Sequence, residues 1–210
     1  MVKNKLLALT TLLLLSLPLC AQDNRDVAAD LRERLDDMTS LQGEFTQTLT
    51  DADGMVLEES KGHFVMARPG KFDWQTTEPF EQRLVSDNET IWLYDPDLMQ
   101  VTVRDYNREL QETPALILSD ELTELSERFE VTHTESEAGL DVFSLKPRED
   151  EGLFRSLSLV FDGRLLREIR MYDNLDQVSY FELRDLERNV DVDDSRFTFE
   201  PPEGVDVLRD

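Results

Sequence analysis

Apolar positions along the chain fall into three successive rhythms. Leu6 to Leu19 is almost continuously apolar behind Lys3 and Lys5, and Ala21 follows as a small residue. That is the layout of a secretory signal peptide. The run is too short to span a bilayer as a helix, which takes about 20 apolar residues, and Pro18 breaks its end. Cleavage is expected after Ala21, leaving residues 22–210 as one domain. Leu17-Pro18-Leu19-Cys20 also admits a lipidated Cys20, although Leu19 is bulkier than the small residue such signals want before the cysteine.

The second rhythm is helical. Asp26 is placed to cap a segment in which Val27, Ala28, Leu31, Leu35 and Met38 recur at helical spacing, with the charged residues on other faces and an end near Ser40. From Gly43 the period becomes two, and Phe45 and Leu49 precede the turn Asp51-Ala52-Asp53-Gly54. Strands are predicted at 62–67, 72–75, 82–86, 90–94, 99–104, 129–134, 141–146, 155–161, 165–172 and 177–186, separated by turns such as Arg68-Pro69-Gly70-Lys71, Asp95-Pro96-Asp97 and Asp162-Gly163-Arg164. These hairpins imply one antiparallel meander. One interruption is expected: Thr113-Pro114 has helix-start chemistry, and Ala115 to Leu118, Leu122 and Leu125 supply apolar positions for one or two short helices.

A sheet this long must curl, split or close, and few helices are available to fill its concave side. Phe45, Phe64, Met66, Phe72, Trp74, Trp92, Tyr94, Leu98, Met99 and Val101 therefore read either as the lining of an apolar pocket or as ordinary core. Periodicity alone leaves both open.

Composition narrows the function classes. The chain has 210 residues, 40% hydrophobic and 32% charged, with 46 acidic against 22 basic side chains and a formal charge of −24. Loss of Lys3 and Lys5 with the signal takes the basic count to 20 and the charge to −26. Such a surface repels nucleic acid and anionic lipid. One Cys and two His leave no disulfide framework and no zinc signature, and the sequence carries no phosphate loop or dinucleotide fingerprint. His63 and His133 lie outside any nucleophile motif and read as surface or rim residues. Neighbouring carboxylates such as Glu58-Glu59 and Asp193-Asp194 follow from acidic composition, so a hydrolase acid pair is not legible. No catalytic residue, cofactor or metal is expected.

Three stretches then carry a specific resemblance. Ala67-Arg68-Pro69-Gly70-Lys71-Phe72-Asp73-Trp74, Glu78-Pro79-Phe80 and the run from Leu84 to Thr102 closely resemble the periplasmic outer-membrane lipoprotein carrier family, LolA. Phe45-Thr46-Gln47, Thr113-Pro114-Ala115 and the ending from Arg196 to Val207 extend the likeness over nearly the whole mature chain. The resemblance implies an α+β fold: an unclosed, strongly curved antiparallel β-barrel or half-barrel with a helical lid over an apolar cavity. It also shifts the aromatic set toward a lining.

By the same resemblance, the protein is a monomeric periplasmic carrier and not an enzyme. It is implied to take acylated lipoproteins from an inner-membrane ABC transporter, shield their acyl chains and pass them to an outer-membrane receptor lipoprotein. Arg68 is implied to latch the lid and Phe72 to receive cargo near a partly exposed cavity mouth, with Trp74, Phe45, Phe64, Met66, Trp92, Tyr94 and Met99 as the cavity. A membrane-anchored receptor or stress sensor of the same fold, lipidated at Cys20, is the alternative, and the mass of the mature N terminus separates the two.

Overall fold

The computed structural model describes residues 26–106, 118–119, 125–149 and 154–209. The expected signal segment with Cys20, and Thr113, Pro114, Ala115 and Leu122 of the expected inserted helices, lie outside these residues.

Helix α1, Val27–Asp36, starts where its sequence places it: the Asp26 side chain accepts a hydrogen bond from the Ala29 N–H at 3.3 Å. It ends before Ser40 because the chain is already committed to the sheet there, with Arg68 N–H donating to the Thr39 carbonyl at 2.9 Å. The strands follow as β1 Ser40–Thr50, β2 Val56–Ala67, β3 Lys71–Glu78, β4 Gln82–Asp87, β5 Thr90–Asp95 and β6 Gln100–Asp105. After a short helix α2, Leu125–Arg128, come β7 Phe129–Glu135, β8 Asp141–Pro147, β9 Phe154–Asp162, β10 Leu165–Asp173 and β11 Val178–Arg188. A 3₁₀ turn at Asp194–Phe197 and β12 Asp206–Arg209 complete the described chain.

All twelve strands form one curled, unclosed sheet in the order β12-β6-β5-β4-β3-β2-β1-β11-β10-β9-β8-β7. The expected single meander is in fact two, β1–β6 and β7–β11, joined where β1 pairs antiparallel with β11 from Leu41 opposite Arg188 to Thr50 opposite Val178. The two longest available edges satisfy each other's backbone groups, and the inserted segment between β6 and β7 carries the chain to the far edge. Sequence reading missed β12, which runs parallel to β6; Asp206-Val207-Leu208-Arg209 is exposed throughout and has no apolar face to betray it.

Side-chain alternation gives the sheet two unlike faces. The inner face holds the main core. Leu31, Leu35 and Met38 from the α1 end of the chain, with Leu118 and Leu125, pack on Leu41, Phe45, Phe64, Met66, Phe72, Trp74 and Ile91 in one half and on Phe143, Leu145, Leu157, Leu159, Phe161, Ile169, Phe181 and Leu183 in the other. On the outer face Val65, Val85, Val101, Val103 and Phe197 are buried in the half where the C-terminal segment lies. Asp73, 2% exposed on that face, is held by Arg83 (2.8 and 3.1 Å) and by Nε of Arg196 (3.1 Å), so the C-terminal segment is tied to β3 and β4 by a shared carboxylate.

Candidate functional site

The inner face is built around four rings. Trp74 stacks on Phe45 with centroids 4.3 Å apart and on Phe64 at 5.1 Å, and meets Phe181 edge-on at 5.7 Å. The rings come from four strands, β1, β2, β3 and β11, at inward positions set by period-two alternation. Gly62 makes the stack possible, since a Cβ there would stand 1.9 Å from the Gln75 carbonyl and 2.9 Å from the Phe45 ring.

Polar clasps attach the covering pieces to the sheet. In the β2–β3 turn, Arg68 Nε donates to the Met38 carbonyl at 3.0 Å, just beyond α1, and the Gly70 N–H donates to the Ser119 carbonyl at 2.7 Å. The turn is itself rigid: Ser86 Oγ donates to the Gly70 carbonyl at 2.8 Å, and Gly70 has φ +66°, with a Cβ position 1.9 Å from Asn88 Oδ1. Only glycine fits there. At the other half of the sheet, Arg34 of α1 donates to Asp141 at 2.8 Å while His133 Nε2 lies 2.8 Å from the other carboxylate oxygen. Burial raises the Asp141 pKa, but the hydrogen bonds from His133 and Arg34 more than offset this and hold it below the ordinary aspartate value.

Beyond the rings the inner face turns polar. Ser60 Oγ donates to Gln47 Oε1 at 3.3 Å and Gln47 Nε2 to Ser179 Oγ at 3.5 Å. A cavity of about 570 Å³ opens over Gln47, Ser60 and Thr76, between the β3–β4 loop and the β5–β6 turn.

The residues expected to form the cavity divide accordingly. Phe45, Phe64, Met66, Phe72 and Trp74 share the inner cluster. Trp92 and Tyr94 do not: Val85 faces Trp92 and Arg83 faces Tyr94 across the β4–β5 ladder, which puts both on the outer face, where Tyr94 meets Phe199 at 5.4 Å. Their inward neighbours are Ile91 and Leu93. Val101 is buried on the same outer face, while Met99, 53% exposed with φ +51°, and Leu98 belong to the turn. The expected partly exposed Phe72 is also corrected. It is 1% exposed, because its strand neighbours Met66 and Ser86 and the α1 side enclose it.

Sequence reading missed Phe181 and the whole β8–β10 half of the face, whose alternation was visible but whose attachment to β1 through β11 was not. His63 pairs with Gln75 on the outward side of β2, and His133 serves the Arg34–Asp141 attachment. Among the described residues no group of three or more His, Cys, Asp or Glu is placed to hold a metal, and no helix is long and apolar enough to cross a membrane.

Comparison with known proteins agrees with this architecture. Residues 36–200 match the family described as outer membrane lipoprotein carrier protein LolA. An outer-membrane lipoprotein carrier protein of Chromohalobacter salexigens is 42% identical over 198 residues, covering 93% of each chain. One from Alkalilimnicola ehrlichii is 43% identical over 180 residues, 86% of this chain and 82% of its own. The crystal structure of a LolA superfamily protein from Nitrosomonas europaea, 14% identical, superposes with a TM-score of 0.50 over 82% of this chain and 97% of that one, a likeness of fold. With the sequence match covering most of the chain and the open sheet shared, the protein belongs to the LolA family of outer-membrane lipoprotein carrier proteins.

Proposed function

We propose that this protein is a periplasmic carrier which, after loss of residues 1–21, shields the acyl chains of lipoproteins against its inner face. The observation that supports this most directly is the continuity of that face. Apolar side chains run from Ile91 through the Phe45–Trp74–Phe181 rings to Phe143, and among the described residues their cover is the ten-residue α1 with short pieces such as Leu118 and α2, none of them a strand of the sheet. Such pieces can be displaced while the hydrogen-bonded sheet stays intact.

Acyl chains would take the place of Leu31, Leu35, Met38 and Leu118 over the rings. The exchange replaces apolar contact by apolar contact, so its main costs are the clasps. A hydrogen bond contributes about 0.5–1.5 kcal/mol net, and one to a charged group about 1.5–3 kcal/mol. Arg68 and the Gly70–Ser119 bond thus hold the cover shut without making opening prohibitive. In this reading Arg68 is the latch and Phe72 is part of the surface that receives cargo.

Loading needs outside energy. Each acyl CH₂ exposed to water costs about 0.8 kcal/mol, so a 16-carbon chain exposes on the order of 12 kcal/mol. A protein cavity no more apolar than lipid does not extract such chains unaided. An inner-membrane ABC transporter would supply that work, and an outer-membrane receptor lipoprotein with a tighter acyl site would complete delivery. Adding the purified protein to inner-membrane spheroplasts should release newly made lipoprotein into the supernatant as a soluble complex with this chain. Lipoprotein that stays with the spheroplasts would refute the carrier reading.

A further inference from the structure

The polar end of the inner face has no task in acyl shielding. Gln47, Ser60 and Thr76 each lie two residues beyond Phe45, Gly62 and Trp74 on the same side of their strands, one inward step of roughly 7 Å further along. The cavity over them therefore continues the aromatic floor. Its walls are Glu58, Glu81, Asp95 and Asp97, with Phe80 and Leu98 at the mouth, 70% and 68% exposed. At the opposite end of the same strands the face is clasped by Arg68 on Met38 and by Gly70 on Ser119.

An acylated protein has a second part, the polypeptide joined to its lipid-bearing cysteine. With the chains over Trp74 and Phe45, that polypeptide must leave toward water, and among the described residues the clasped end offers it apolar packing and hydrogen bonds already made. The unclasped end offers amide, hydroxyl and carboxylate groups that can accept from an extended backbone. Resting on the carrier reading above, we propose that this cavity is the subsite for the first residues of the cargo polypeptide after its acylated cysteine, and that its carboxylates favour basic over acidic residues there.

Synthetic trihexanoyl-cysteinyl peptides, whose short chains leave them dissolved as monomers so that no lipid phase has to be emptied, ending in four Lys, four Ser or four Asp, test this by titration at low salt, read by calorimetry. We expect affinity to fall in the order Lys, Ser, Asp, with about tenfold between the extremes, the sum of several partly exposed charge pairs, and a narrower span at high salt. The fourfold variant Glu58→Gln/Glu81→Gln/Asp95→Asn/Asp97→Asn should bring the span to about twofold while binding the Ser peptide as before. A control removing as many exposed carboxylates at the β7 edge, Glu127→Gln/Glu130→Gln/Glu135→Gln/Glu137→Gln, should keep it.

The pair Glu81→Gln/Asp97→Asn, both outside strands, should lose about half the span, so a folding defect in the fourfold variant leaves the question decidable. Equal loss in pocket and control variants would assign the preference to overall charge and overturn the proposal, as would an unchanged span in the pocket variants. Failure of all three peptides to bind would instead overturn the carrier reading, and this subsite with it.

Discussion

Arg68 Nε sits 3.0 Å from the carbonyl of Met38, a charged donor on the sheet meeting an acceptor just past the end of α1. Met38 lies beyond the cap residue Asp37, outside the helical ladder, so its carbonyl is open to a charged donor from the sheet. Arg68→Leu removes the clasp and adds apolar surface at the edge of the inner face. Loading from spheroplasts should persist, transfer to a receptor should slow, and the loaded complex should accumulate. Wild-type transfer without excess loaded complex would remove Arg68 from the latch role.

Burial of Phe72 changes how its role can be tested. Truncating such a side chain costs about 3–5 kcal/mol, and a carboxylate in its place adds a desolvation penalty. Phe72→Glu is therefore expected to lose cooperative thermal unfolding. Phe72→Leu should cost about 1 kcal/mol and stay folded, which makes it the variant in which a loading defect can be attributed to cargo contact.

The two tryptophans report on opposite faces. Trp74, 8% exposed within the ring stack, should change emission when acyl ligand replaces the cover, whereas Trp92 on the outer face should not. In Trp92→Phe the ligand-induced change is expected to survive in full, and in Trp74→Phe to vanish. The reverse pattern would contradict the assignment of faces.

Asp73 joins Arg83 and Arg196 at a buried position, and removing the shared partner leaves two guanidinium groups uncompensated. Asp73→Ala should destabilise by about 3 kcal/mol, at the low end for a broken buried pair because both arginines reach solvent. Arg196→Ala, which loses one of the three hydrogen bonds to the carboxylate, should cost less. Limited proteolysis should then cut first between Asp191 and Arg209, since this carboxylate ties that segment to β3 and β4.

Asp141 makes the docking of α1 sensitive to acid. Burial disfavours its charge, but His133 and Arg34 outweigh that and lower the folded pKa below 3.8. The sign follows by linkage: the stabilisation is complete where the unfolded aspartate is ionised and is lost as pH falls through the lowered folded value. The stability difference between wild type and Asp141→Asn should be present at about pH 5 and shrink below about pH 4 as the carboxylate is protonated. Urea denaturation at each pH measures it, and a difference that failed to shrink below about pH 4 would contradict the arrangement.

What the sequence determined by itself was local, or was carried by motif. Asp26 and the Leu31–Leu35–Met38 spacing specified α1, and Asp51–Gly54 and Asp162-Gly163-Arg164 specified turns, because caps and turns depend on residues a few positions apart. Strand alternation identified Phe45, Phe64, Phe72 and Trp74 as one side of their strands, and the Arg68–Trp74 run pointed to the family. Alternation says which residues share a side; it does not say which side is inward. That choice depends on what covers each face: Tyr94, with Trp92 on the same side of β5, went outward, where Phe199 of the C-terminal segment meets Tyr94 and Phe197 is buried. The joining of β1 to β11, the partnership of Asp73 with Arg196 and the place of Phe181 in the ring stack are contacts between residues more than 100 positions apart. Only tertiary structure decided them, because a backbone edge or a buried charge can be satisfied by any segment that reaches it, and folding selects the one that satisfies all of them together.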